Sequence, residues 1–120
     1  GVSTGGVWLK LPGRVGDSSI PGAGFYADKY VAVAATGIGE VIVQSLPGIR
    51  IALLVSQGYS LKKSMDLVLD WITSIWGKDN TGLIAIDHRG EYAISFNTRH
   101  IMVSYKDLEK SFTELLSRED

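Results

Sequence analysis

Apolar side chains recur at helical spacing in residues 61–76, and this is the clearest pattern in the chain. The side chains that follow this spacing are Leu61, Met65, Val68, Leu69, Ile72 and Trp76. Steps of three and four residues place such side chains on one face of an α-helix. Ser60 precedes the stripe as a candidate N-cap, and Gly77 follows it as a stop signal. The pattern therefore predicts an amphipathic helix over residues 61–76.

Residues 39–57 are apolar on nearly every face, which predicts a helix that is buried on most sides. Pro47 lies inside this segment and lacks the N–H that a helix interior uses, so it should bend the helix or break its first turns. The preceding residues 30–35 are β-branched or small, which is typical of a buried strand. We expect this strand to end at Thr36.

The last third of the chain predicts a hairpin, a strand and a helix. Large and small side chains alternate in residues 92–97 after a turn signal at 87–90, which indicates a β-hairpin. Residues 101–105 predict another strand. Asp107 then stands as an N-cap before an apolar stripe that predicts a terminal helix, formed by Leu108, Phe112, Leu115 and Leu116. Strands and helices in this proportion, without repeated crossovers, indicate an α+β fold.

Composition and charge exclude several classes of function. With 120 residues, 45% of them hydrophobic, the chain can bury a core as a single domain over residues 1–120. Its 12 basic and 13 acidic residues are mixed and give a net charge of −1, which does not favour nucleic acid or an anionic membrane as a partner. The absence of cysteine excludes disulfides, thiol nucleophiles and Cys metal sites. With no signal-peptide pattern and no apolar run of spanning length, we expect a cytoplasmic protein.

Candidate chemistry is concentrated near the start of the chain, where Arg14, Asp17 and two threonines stand among repeated glycines. A guanidinium fork suits a carboxylate, a carboxylate suits an ammonium group, and glycines let backbone N–H groups approach a substrate. This inventory predicts a site for a zwitterionic amino-acid head beside an oxyanion hole. Taken alone, the residues also fit a glycine-rich loop with Arg14 and Asp17 as a solvated ion pair.

The two histidines do not favour a metal site. His88 falls in a predicted turn and His100 stands beside Arg99, with no carboxylate or second histidine at ligand spacing. Neither zinc binding nor a Ser-His-Asp arrangement is therefore indicated. Glu40 is interpreted as a first-turn acid that the helix dipole favours, rather than as a general base.

Five motifs carry a family resemblance, namely STGG at 3–6, PGRVGDS at 12–18, GAGFYAD at 22–28, TGIGE at 36–40, and a hairpin running from GLIAID at 82–87 to FNT at 96–98. In order and spacing they resemble the β subunit of the plant-type L-asparaginases, N-terminal-nucleophile amidohydrolases that also act as isoaspartyl aminopeptidases. The resemblance covers roughly residues 1–105. The glycosylasparaginases share GRVGD and stay open as an alternative, although STGG, TGIGE and FNT favour the plant type.

The resemblance implies a fold, a partner and a reaction. The fold is an αββα sandwich of the N-terminal-nucleophile type, completed by an α subunit cut from the same precursor and assembled as (αβ)2. The reaction is hydrolysis of the side-chain amide of L-asparagine and of β-aspartyl dipeptides through a threonine acyl-enzyme, with no cofactor and no catalytic metal. The base is the α-amino group of the nucleophile itself.

The resemblance also implies residue roles. Thr4 is similar to the residue that orients the nucleophilic threonine, and the Thr36 hydroxyl with the Gly37 N–H resembles the oxyanion hole. For the substrate, Arg14 is similar to the residue that binds the α-carboxylate. The ammonium group would be held by Asp17 and by the carbonyl of Gly39.

One departure from the family pattern bears on activity. The nucleophilic threonine is not in this sequence, and we expect it upstream of Gly1, in a longer polypeptide that cleaves itself immediately before that threonine. A non-catalytic amino-acid-binding or assembly subunit therefore stays open as a second alternative. Gln44 and the pair Arg99 and His100 differ from the usual family residues, which leaves the substrate preference open.

Overall fold

Six strands and three helices form over residues 7–119, the part of the chain that this computed structural model describes. The strands are β1 (Phe25–Ala27), β2 (Val31–Gly37), β3 (Thr81–Asp87), β4 (Tyr92–Phe96), β5 (His100–Lys106) and β6 (Ser111–Ser117). The helices are α1 (Gly39–Ser45), α2 (Pro47–Ser56) and α3 (Leu61–Trp76). A short 3-10 turn, Asp17–Ser19, precedes the first strand.

The strands form a four-stranded antiparallel sheet and a separate antiparallel ribbon. The sheet has the order β1-β2-β3-β4, and the ribbon pairs β5 with β6. In the sheet, Thr36 lies opposite Gly82, and Gly37 lies opposite Thr81. The predicted buried strand and the predicted hairpin of β3 and β4 are therefore confirmed, and so is the α+β class.

Helix α3 has the bounds that the apolar spacing predicts. Its stripe faces the sheet, and Ile72 and Met65 are fully buried. The Ser60 hydroxyl accepts a hydrogen bond from the Lys63 N–H at 3.4 Å, which satisfies one of the free donors at the helix start. Helices α2 and α3 pack together on one face of the sheet, where aliphatic side chains of both layers form the core.

The predicted helix over residues 39–57 is two helices. Leu46 takes a left-handed backbone conformation with φ 48°, and Pro47 begins α2, because proline fits the first turn of a helix and not its interior. By length and composition alone, Gly39–Ser56 would qualify as a membrane span, with mean hydropathy 1.3. In the fold this stretch is interrupted at Leu46, and 44% of it is buried inside the protein.

The opposite face of the sheet carries a second apolar layer. The register places Phe25, Ala34, Ile84 and Ile94 in one row across the four strands on this helix-free face. The ribbon contacts this face, with Ile101 beside Gly82 and with the Tyr105 ring 4.4 Å from the Tyr92 ring. The described residues thus form a helical layer, a sheet and a ribbon, in that order.

The predicted terminal helix is wrong, because residues 111–117 form strand β6. The Asp107 carboxylate does accept nearby N–H groups, from Glu109 and Lys110 at 2.7 Å each, as an N-cap would. These bonds close the turn of the ribbon, since the same side-chain contact serves helix starts and turns. The Phe112 ring stacks on the Tyr105 ring at 5.4 Å, which gives it an apolar partner in the strand.

We expect Ile72→Ala to destabilise the full-length protein by about 2–5 kcal/mol, because it leaves a cavity in a packed core. Ile75→Ala on the same helix is the matched control, since Ile72 is 0% exposed and Ile75 is 53% exposed. Thermal unfolding of the two variants provides the measurement. Equal shifts in Tm would contradict the orientation of α3.

Candidate functional site

The loop that carries Arg14 and Asp17 is tied to strand β2 by backbone hydrogen bonds. The Asp17 carbonyl accepts N–H donations from Ile20 at 2.9 Å and Gly24 at 3.2 Å. The Gly24 carbonyl in turn accepts from the Ala35 N–H at 2.9 Å. A Cβ atom on Gly24 would lie 2.2 Å from the Asp17 carbonyl oxygen, so only glycine lets the two segments approach this closely. The loop is therefore held beside the end of β2.

Arg14, Asp17 and Gly39 converge at the start of α1. A Cβ atom on Gly39 would lie 2.9 Å from Arg14 Nη2 and 3.2 Å from Asp17 Oδ1. One cation, one carboxylate and the first residue of a helix thus share one small region. The structure brings together all three residues for which the sequence predicts a substrate-binding role.

Asp17 is a buried carboxylate, with only 3% of its surface exposed. Its Oδ2 atom is buried and has no hydrogen-bond partner among the residues that the structure describes. Burial raises the pKa of the Asp17 carboxyl above its ordinary value of 3.8, and its own backbone N–H and the Arg14 charge lower the pKa in part. Because a buried, unpaired carboxylate is costly, this oxygen is suited to accept a hydrogen bond from a cationic group.

Glu40 forms an ion pair with Arg14. Arg14 Nη2 lies 3.5 Å from Glu40 Oε1, and the Glu40 side chain is exposed. A hydrogen bond from its own backbone N–H and then the Arg14 side chain lower the pKa of the Glu40 carboxyl below its ordinary value of 4.5. This environment fits the interpretation of Glu40 as an ionised first-turn acid.

Thr36 and Gly37 end strand β2 immediately before α1. Thr36 lies on the helix-free face opposite Gly82 and lines a cavity whose other wall is residues 101–104 of strand β5. Gly37 has φ +137°, and a Cβ atom there would lie 2.0 Å from the Asn80 carbonyl oxygen. Both the backbone conformation and the space therefore require glycine at this position.

A buried amide pair, Asn80 and Asn97, supports the end of strand β2 and is not predicted by the sequence pattern. The Asn80 carbonyl accepts the Ile38 N–H at 2.8 Å, and the Asn97 side chain accepts the N–H groups of Asn80 at 3.1 Å and Thr81 at 2.8 Å. The available signal was Asn97, a polar residue that continues the alternation of strand β4 at a buried position. Alternation alone does not show which face is buried.

The remaining predicted site residue, Thr4, lies outside the described residues. Within residues 7–119, no group of three His, Cys, Asp or Glu side chains could hold a metal ion.

Comparison with known proteins gives one family. A model described as Asparaginase matches residues 1–115. The chain is 50% identical over 98 residues to the plant-type L-asparaginase of Pyrobaculum calidifontis, covering 81% of this chain and 33% of that protein. It is 48% identical over 99 residues to the isoaspartyl peptidase of Escherichia coli, covering 80% and 30%. It is 36% identical over 114 residues to the plant-type L-asparaginase of Pyrococcus abyssi, covering 95% and 37%. The chain thus spans about a third of the length of these relatives.

We expect Asp17→Asn to raise the Tm of the full-length protein at neutral pH. Because burial raises the folded-state pKa of Asp17, ionisation of this carboxyl destabilises the fold above that pKa. The advantage of the variant should shrink as the pH falls through the raised folded-state pKa of Asp17, and it should vanish below the ordinary pKa of 3.8, where the carboxyl is neutral in both the folded and the unfolded state. Tm measured against pH tests this, with exposed Asp70→Asn as the control. A Tm difference independent of pH would contradict the assignment.

Proposed function

The chain belongs to the asparaginase family, and on this basis we propose that the whole protein hydrolyses the side-chain amide of L-asparagine and the β-aspartyl bond of isoaspartyl dipeptides. The observation that carries the proposal is the buried Asp17 carboxylate with an unpaired oxygen, adjacent to the Arg14 guanidinium and to Gly39. Opposite charges held this close are suited to a free α-amino acid head, which carries both an ammonium and a carboxylate group.

In this proposal each charge has its own partner. Arg14 binds the α-carboxylate through its guanidinium fork, and its contact with Glu40 holds the side chain near the start of α1. Asp17 binds the α-ammonium group, which also donates to the carbonyl of Gly39. Binding relieves the cost of burying Asp17, because the ammonium charge compensates a carboxylate that the fold leaves partly unsatisfied.

The proposed nucleophile is the threonine expected upstream of Gly1, oriented by Thr4. Its α-amino group takes the hydroxyl proton, and the alkoxide oxygen attacks the side-chain carbonyl carbon. The negative charge develops on the carbonyl oxygen, to which the Thr36 hydroxyl and the Gly37 N–H donate. Ammonia or an amine leaves with the proton, and water then hydrolyses the ester to release aspartate and restore the threonine.

Exposed apolar side chains on the helix-free face support a proposed assembly. Phe25, Ile86 and Tyr92 are each more than one third exposed there, which is unusual for an apolar sheet row in a finished core. We propose that residues 1–120 belong to one domain, which an α subunit from the same self-cleaving precursor completes as an αββα sandwich. We also propose that the enzyme assembles as (αβ)2. The cytoplasmic location stays a prediction.

Removal of the Arg14 charge should weaken substrate use. We expect Arg14→Ala to raise KM and to lower kcat/KM by a factor equivalent to about 2–4 kcal/mol of transition-state stabilisation. The reason is that the desolvated α-carboxylate of the substrate loses its charged partner. Steady-state kinetics on L-asparagine and a β-aspartyl dipeptide provide the measurement, with exposed Arg89→Ala as the control. N-blocked substrates should not be hydrolysed by the wild type, and equal rates on blocked and free substrates would disprove the proposed head-group recognition.

The proposed oxyanion role of Thr36 separates an enzyme from a binding subunit. We expect Thr36→Val to lower kcat by about 10²–10³ with little change in KM, because its hydroxyl contacts charge that exists mainly in the transition state. Thr36→Ser keeps the hydroxyl and should retain most of the activity. If Thr36→Val turns over like the wild type, or if the wild type binds aspartate yet never hydrolyses asparagine, the binding-subunit alternative replaces this one.

A further inference from the structure

The peptide that joins Gly37 to Ile38 rests on the carbonyl of Asn80. The Ile38 N–H donates to that oxygen at 2.8 Å, and the Cα of Gly37 approaches it so closely that no Cβ fits between them. The direction of the Gly37 backbone therefore depends on where the Asn80 carbonyl lies. Asn80 belongs to the loop between α3 and β3, which is not part of the glycine-rich motifs.

Asn97 fixes this loop from the end of strand β4. Its Oδ1 atom accepts the N–H of Asn80 at 3.1 Å and the N–H of Thr81 at 2.8 Å. Its Nδ2 atom donates to Asn80 Oδ1 at 3.0 Å and to Thr73 Oγ1 at 2.9 Å. One side chain thus holds both the backbone and the side chain of Asn80.

The network is buried and closed on itself. Asn80 Nδ2 donates to the Gly77 carbonyl at 2.8 Å, which joins the loop to the end of α3. The Thr81 hydroxyl donates to Asn80 Oδ1 at 3.0 Å, and Thr81 is fully buried. A buried network with its groups paired adopts one arrangement, and loss of its central member leaves buried N–H groups without that partner.

We propose that Asn97 is a positioning residue for the oxyanion hole. It acts through the Asn80 carbonyl, which accepts the Ile38 N–H and packs against the Gly37 Cα, and so fixes the backbone conformation of Gly37, whose N–H is the proposed donor. This inference rests on the proposed function, because it assigns a purpose to the Gly37 N–H. Asn97 itself does not touch the substrate. It determines where the donor points when charge develops on the carbonyl oxygen, and the rate depends steeply on that direction.

The test uses Asn97→Ala in the full-length, self-processed enzyme. We expect kcat for L-asparagine to fall about 10–100-fold with KM changed by less than about twofold, the scale for a small misplacement of a catalytic donor. Asp87→Ala is the matched control, because Asp87 is also buried, also accepts backbone N–H groups and lies at the far end of β3. Asp87→Ala should lower Tm and leave kcat unchanged. An unchanged kcat in Asn97→Ala, or an equal loss in both variants, would overturn the proposal.

A double variant separates positioning from general destabilisation. If Asn97 acts through the oxyanion hole, Thr36→Val and Asn97→Ala together should lower kcat by much less than the product of the single effects. A full product means that the two residues act independently and contradicts the proposal. If Asn97→Ala does not fold, Thr81→Val decides in its place. It removes one bond of the network at nearly constant volume and should lower kcat about 3–10-fold.

Hydrogen exchange provides a readout that does not depend on catalysis. In Asn97→Ala, the amide of Ile38 should exchange about 10-fold faster than in the wild type, whereas Asp87→Ala should leave it unchanged. Unchanged exchange at Ile38 would overturn the positioning of this peptide. Faster exchange in a protein that hydrolyses neither substrate would instead refute the proposed function and keep the structural link.

Discussion

The close contact between Gly37 and the Asn80 carbonyl is the constraint on which the candidate site depends. It occurs where strand β2 ends, helix α1 begins and β3 starts to pair with β2. With φ +137° at Gly37, the chain turns from strand to helix within two residues. The same turn therefore places the last N–H of the strand and sets Gly39 beside Arg14 and Asp17. A shift of this contact would move both halves of the site together.

The sequence predicts most of the helical layer, because burial there follows local periodicity. Helix α3 has the predicted bounds, since its apolar stripe, its serine cap and its terminal glycine all agree. The break between α1 and α2 is harder to predict from sequence. Pro47 predicts that the helix is disturbed, but it does not predict the left-handed backbone conformation of Leu46. The prediction of a terminal helix fails because the apolar positions in residues 107–116 fit a helical stripe and a strand about equally well. In the strand, Phe112 stacks on the ring of Tyr105, a residue outside the predicted helical stripe.

The candidate site is only partly predictable from the sequence. Arg14 and Asp17 are recognisable because their residue types carry the chemistry, whereas the role of Gly39 is implied only by the family resemblance; the fold does bring the three together. The burial of Asp17 and the support of Gly37 by Asn80 and Asn97 depend on residues far apart in the chain. Such long-range pairing has no local pattern, so it emerges only when the strands are in register.

Arg14 and two glycines constrain one another across the loop and the helix. A Cβ atom on Gly16 would lie 2.8 Å from Arg14 Nη1, and one on Gly39 would lie 2.9 Å from Arg14 Nη2. The guanidinium fills the space that any side chain at either position would need. The two glycines therefore determine where the guanidinium can lie, and a side chain introduced at position 16 or 39 would redirect Arg14 without any change at position 14 itself.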